Sequence, residues 1–137
     1  MTLDFTALNW AAIGASVVAG QLISTVWFVV LFAKPWAQEY GVASAKEHTS
    51  QIPPWTYPIQ ILCTVALTVS LALFHQIAGV QSVADALAVA GFVIVGFSLS
   101  TGLPGQAFLK RWRVAAIAYG SQAAMIVGIS LLLGLWR

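Results

Sequence analysis

The chain has 137 residues, 60% of them hydrophobic and only 7% charged, with a net charge of +2. A water-soluble domain carries about 25% charged residues, so four acids and six bases cannot cover a soluble surface, and most of this surface is expected to face lipid. The length allows one domain over 1–137, and so small and scattered a charge excludes a basic face for nucleic acid.

A membrane span needs about 20 apolar residues at a rise of about 1.5 Å each. Four stretches qualify, so the predicted fold is all-α, an integral membrane bundle of four antiparallel transmembrane helices. The first span runs roughly over 10–33. It follows Asp4 rather than a basic leader, and it is longer than the apolar core of a cleavable signal, so none is expected. A polar loop from Lys34 to Thr56 follows. Pro53 and Pro54 precede the second span, roughly 57–77, and Pro58 falls in its first turn, where a missing N–H costs little. A tight turn with Gly79 leads to the third span, roughly 83–103, which Ser82 and Asp85 open with capping-box spacing. Gly102, Pro104 and Gly105 are expected to end it, before the basic run Lys110, Arg111 and Arg113. The fourth span, roughly 114–136, holds no charge, and Trp112 and Trp136 stand near its ends as an aromatic belt requires.

Orientation follows from the basic residues. Lys34, Lys46, Lys110, Arg111 and Arg113 share one side of the membrane, against Arg137 on the other. The positive-inside rule places the two basic loops in the cytoplasm of a bacterial-type plasma membrane and both termini outside. The single Cys63 lies in an apolar run, so no internal disulfide is available.

The end of the first span carries the most specific pattern. Trp27, Phe28, Leu31, Phe32, Lys34 and Trp36, followed by Gly41, resemble the W-[YF]-x-P-L-F-G-K-x-W segment of domain-of-unknown-function family 1761, whose members are small four-helix integral membrane proteins. The ending "LLLGLWR", Leu131 to Arg137, is similar to that family's usual ending, and Tyr119 stands where the family often has an aromatic. The likeness covers the whole chain in length and helix number. The chain departs from the pattern at Val29 and Val30, where a small residue and Pro are usual, and at Ala33, where Gly is usual. Without that Pro the first helix is expected to be unkinked. The resemblance implies the fold and supplies no activity.

No nucleophile elbow, phosphate-binding loop, dinucleotide fingerprint or H-E-x-x-H motif is present. The chain is therefore read as a non-enzyme that holds no cofactor or metal. His48 and His75 are predicted on opposite sides of the membrane, where they cannot share a metal. His48 is expected to be solvated in its loop. His75 is expected to reach the interface with its polar tip, with axial ligation of haem or a pigment as the alternative. Asp85 reads as a helix cap favoured by the helix dipole, or else as a proton or cation carboxylate. The first span lacks the buried Glu that small multidrug transporters carry there.

Uncharged polar residues form the candidate site. Gln21 and Ser24 lie on one face of the first span, Gln60 and Thr64 on the second, and Gln122 on the fourth. An amide in hydrocarbon needs partners, so these residues are expected to face inward, either as interhelical hydrogen bonds or as the lining of a polar cavity. A second pattern is the small-residue ridge of Ala116, Gly120, Ala124 and Gly128, which allows close helix approach. It serves either packing within the chain, with the first span as preferred neighbour through Ser16 and Gly20, or association between chains. Lipid is expected on the side of Ile126–Val127 and Leu131–Leu133. The favoured function is a small non-catalytic membrane protein acting through helix–helix association, as a homo-oligomer or an accessory subunit of a larger membrane complex. The alternative is a small oligomeric transporter or channel with a polar path from the cytoplasmic side. The third reading is haem or pigment binding through His75.

Overall fold

A computed structural model describes residues 3–136, and all regular structure among them is helical. The helices are α1 (Trp10–Val26), α2 (Ala33–Glu39), α3 (Ala45–Ser50), α4 (Thr56–Ala78), α5 (Val83–Val93), α6 (Ser100–Phe108) and α7 (Trp112–Leu135). π-helical turns follow α1 at Trp27–Leu31 and join α5 to α6 at Ile94–Leu99. Four continuous helical stretches are long and apolar enough to cross a membrane: Trp10–Leu31, Thr56–Ala78, Val83–Phe108 and Trp112–Leu135. Arg137, counted in the charge balance, lies outside the described residues.

The first span is not the straight helix expected from its missing Pro. The Phe32 amide reaches back five residues to the Trp27 carbonyl, at 2.8 Å. In an α-helix positions five apart point about 140° away from each other. The wider π turn brings Trp27 and Phe32 onto one side, where their rings stack at 4.7 Å. The chain then restarts as α2, with Pro35 in its first turn, where no amide donor is needed.

The third span also departs from expectation. It continues to Phe108 with Pro104 inside the helix. The Ser100 hydroxyl bonds the Val95 carbonyl, and the Thr101 hydroxyl bonds that of Phe97. These hydroxyls serve carbonyls of the π turn, upstream of the Ser100 carbonyl from which Pro104 withholds an amide. The loop before α7 shrinks accordingly to a short turn in which Lys110 takes φ 56°.

Turn chemistry is local elsewhere. Gly79 takes φ 64° after α4, and the Val80 amide bonds the His75 carbonyl at 3.1 Å, closing a Schellman-type end. Ser82 and Asp85 form the expected capping box, with reciprocal bonds of 3.1 and 2.9 Å. At the N-terminal turn, the hydroxyl and amide of Thr6 donate to Asp4 and hold its carboxyl below the usual range.

The fourth span is the hub, touching the other three and meeting the first most extensively. These two run in opposite directions: Asn9 bonds the Trp136 carbonyl, while Trp27 bonds that of Ile117. Because neighbours surround α7 on several sides, Ile126, Ile129 and Leu133 are all buried. This corrects the expected lipid face, since Ile126 and Leu133 belong to the core. That core gathers Leu8, Ala12, Ile13, Leu71, Ala72, Ala90, Met125, Ile126, Ile129 and Leu133. Most of it lies toward the end of the bundle that holds both described chain ends, the terminal side. On the opposite, loop side, α2 is tied to α7 by Arg113, which pairs with Glu39 at 3.5 Å and bonds Gln38.

Candidate functional site

Packing is uneven along the bundle. From Gly91 to Arg113 no residue is buried, and in α4 none is buried before Thr64. The loop-side halves of the second and third spans therefore leave a crevice of about 640 Å³, floored by the first and fourth. Ser24, Gln60, Thr64 and Gln122 all line it, together with Ser98, Thr101, Ser121, Cys63, Phe28 and Phe97. A second cavity of about 650 Å³ adjoins it under the α2–α3 segment. The two share Ser24, Phe28 and Gln60, and Gln21 lines the second. Four of the five polar residues picked from the sequence thus meet in one crevice, and the fifth sits at its junction with the next cavity.

The amides have distinct partners. Gln21 Nε2 donates to Thr64 Oγ1 at 2.7 Å and to the Gln60 carbonyl at 3.4 Å. Thr64 Oγ1 donates in turn to the Gln60 carbonyl at 3.0 Å, and Thr68 Oγ1 to the Thr64 carbonyl at 2.8 Å. On the far wall, Ser98 Oγ donates to Gln122 Oε1 at 2.6 Å. Gln21 thus uses its donor group in the wall, whereas Gln122 uses its acceptor. Ser24, Ser121 and Thr101 add hydroxyls, and no lining residue of the crevice carries a formal charge.

The second cavity has an aromatic wall. Phe28 lies against Trp36 with centroids 4.8 Å apart, Trp36 against Tyr40 at 5.2 Å, and Tyr40 against His48 at 4.6 Å. His48 is therefore not the merely solvated loop residue expected, but the end of a ring ladder, and Tyr57 lines the same cavity. The π turns contribute directly: one presents Phe28 and the other presents Phe97 and Ser98. π turns inside helices recur at functional sites. Sequence reasoning missed the ladder. Its one signal was the spacing of Trp36 and Tyr40 four residues apart, which puts them on one face of a helix.

His75 stands apart from this site. It sits in the last turn of α4 and is buried among protein neighbours, with 8% of its surface exposed. It lines a terminal-side cavity of about 260 Å³ with Asn9, Gln76 and Trp136. That volume falls below the roughly 300 Å³ at which small-molecule sites begin. Among the described residues, no group of three His, Cys, Asp or Glu is placed to hold a metal.

The ridge of the fourth span divides. A Cβ on Gly120 would come 2.7 Å from Trp27, and one on Gly128 would strike Ile23, so both glycines face the first span. Gly20 faces back toward Met125, Ile129 and Thr64. Ala124 is half-buried and Ala116 is exposed.

The family model for proteins of unknown function DUF1761 matches residues 11–134. The chain belongs to this family. No curated protein and no solved structure matches it. The matched residues of this DUF1761 chain contain both cavities in full.

Proposed function

We propose that this is a multi-pass plasma-membrane protein, an antiparallel four-span bundle with its basic loops in the cytoplasm, that binds an uncharged, hydrogen-bonding small molecule in the loop-side crevice without catalysing a reaction on it. The observation that carries the reading is the convergence of amides and hydroxyls from all four spans on a crevice with no formal charge. Polar groups at that depth in a bilayer need partners, and several of these side chains face open space rather than one another. The volume is in the range of small-molecule sites, about 300–1,000 Å³.

This reading is closer to the transport alternative than to helix association. The two glycines of the ridge are occupied within the chain, which removes much of the surface from which an association seam was read. The crevice also stops within the bundle, because Met125 and Ile126 at its floor belong to the buried core. A single chain in this state is thus a pocket closed toward the terminal side, and transport would require a second state or an oligomer.

The test is purification from the native membrane in mild detergent, followed by mass spectrometry of everything retained. An uncharged polar or amphiphilic molecule should stay in near-equal ratio to the chain and be lost from the Ser121→Leu/Gln122→Leu variant. Retention of a larger membrane protein, with no small molecule, would replace this reading by the accessory-subunit one.

A further inference from the structure

Building on the reading of the crevice as a ligand site, we infer that its occupant is a membrane-soluble quinone: a flat uncharged ring bearing carbonyl or hydroxyl groups, with an apolar tail. Four features of the two joined cavities select this chemistry.

The first is charge. The lining of the two cavities holds no Asp, Glu, Lys or Arg, and its titratable side chains are Cys63 in the crevice and Tyr40, His48 and Tyr57 in the second cavity. A cation would find no carboxylate there. A lipid anion would have no buried cation as partner. Neutral ligands remain.

The second is shape. Phe28, Trp36 and Tyr40 make a continuous aromatic wall, with successive centroids 4.8 and 5.2 Å apart. Phe28 belongs to both cavities, and Phe97 lines the crevice with it. Aromatic faces at such spacing favour a flat ring laid against them in an offset or tilted arrangement.

The third is hydrogen bonding. Ser98 occupies the acceptor of Gln122 at 2.6 Å, which leaves the Nε2 hydrogens of Gln122 to donate. Thr64 occupies the donor of Gln21 at 2.7 Å, which leaves its Oε1 to accept. A quinone carbonyl needs the first and a quinol hydroxyl needs the second. The site therefore offers a partner to the ring in either oxidation state, and none of its groups need move a proton.

The fourth is access. The crevice lies between two membrane spans, and Cys63 and Phe97 on its opposite walls are exposed. A tail of isoprenoid type can leave sideways into the bilayer while the ring stays among the amides.

The test uses the full chain in lipid nanodiscs and a decyl-substituted benzoquinone as probe. Saturable binding of one probe per chain is expected, and decanol, which shares the tail, should not compete. Gln122→Leu and Trp36→Leu should each weaken binding by about tenfold or more, with monodisperse size and helical content unchanged. An azido derivative of the probe should label the peptides carrying Phe28–Tyr40 or Gln60–Thr64, an outcome that does not depend on any variant folding. Failure of saturable binding, equal binding by both variants, or labelling confined to the terminal-side cavity would each overturn the inference. A non-aromatic molecule retained in the crevice from the native membrane would overturn the quinone while leaving the ligand site standing. Loss of both would remove the site as well.

Discussion

Trp27 and Gly120 form a close join between the first and fourth spans. The indole lies where a side chain on Gly120 would stand, 2.7 Å from its ideal Cβ position, and the indole N–H donates to the Ile117 carbonyl at 2.9 Å. An aromatic at the end of a span ordinarily sits in the membrane interface. Here the absent side chain of Gly120 lets it turn inward, and the π turn that carries Trp27 aims it.

Gly120→Ala tests this join by setting two effects against each other. Ala is favoured over Gly in a helix by about 1 kcal/mol. Overpacking against a rigid ring costs about 1–3 kcal/mol. Since the nearest atom belongs to a stacked indole that cannot swing away, the clash should win. We expect a lower midpoint of thermal unfolding in detergent. Trp27→Leu combined with Gly120→Ala should recover most of the loss due to Gly120→Ala alone, and a stability gain in Gly120→Ala itself would show that the indole gives way.

Gln21→Leu should be mild. The Gln21–Thr64 bond is one interhelical contact, and such bonds average about 0.6 kcal/mol in membrane proteins. Thr64 keeps its own bond to the Gln60 carbonyl at 3.0 Å, so the substitution strands no buried donor. Thr64→Val removes the hub of the same network and should cost more. Comparison of unfolding midpoints in one detergent checks the order, and a larger loss for Gln21→Leu would reverse the assignment of the hub.

Four spans were legible in the sequence because lipid imposes long uncharged runs whatever the packing. The cap at Ser82 and Asp85 was legible because it is a local arrangement of neighbours. Of the polar residues expected to face inward, Thr64 is buried, whereas Gln60 and Gln122 line the crevice but stay exposed, because the second and third spans stand apart on the loop side and leave them no neighbour to be buried against. The first π turn was not legible, since the Trp27 it carries meets Gly120 across the bundle, more than 90 positions away in the chain by the Trp27 and Gly120 numbering. Pro104 was misread as a helix end because it falls in the second turn of α6, which starts at Ser100 after the π turn, and no local pattern marks that restart. The lipid face of the fourth span was misplaced because a ridge of small residues identifies one neighbour, whereas this helix has three. The crevice itself arises from two spans standing apart, which no local pattern records.

The proposed orientation gives a labelling prediction. Starting from a Cys63→Ala background, a membrane-impermeant thiol reagent applied to intact cells should label Gln81→Cys, between the second and third spans. It should leave Ala43→Cys unlabelled until the membrane is opened. Both positions are exposed, so reactivity reports the side of the membrane rather than burial. Labelling of Ala43→Cys alone would put the crevice mouth outside the cell and reverse the positive-inside assignment.

Gly102 and Tyr119 couple the third span to the fourth at the far edge of the crevice. The Tyr119 ring occupies the space in which a Cβ on Gly102 would stand, with its hydroxyl nearest. Gly102→Ala must displace that ring, and the same helix already accommodates Pro104 two residues on, so its backbone has little freedom to retreat. We expect Gly102→Ala to destabilise the protein by about 1–3 kcal/mol, the range for overpacking. Tyr119→Ala alone should cost the contacts of the lost ring. In the double variant the two costs should not add, because the ring that Gly102→Ala strikes is already gone. A thermodynamic cycle on these four proteins in one detergent measures the coupling, for which residues in contact give about 0.5–3 kcal/mol. Additive costs would mean that the third span shifts as a body instead of pressing on Tyr119. The crevice between the second and third spans would then be adjustable in width rather than fixed by this contact.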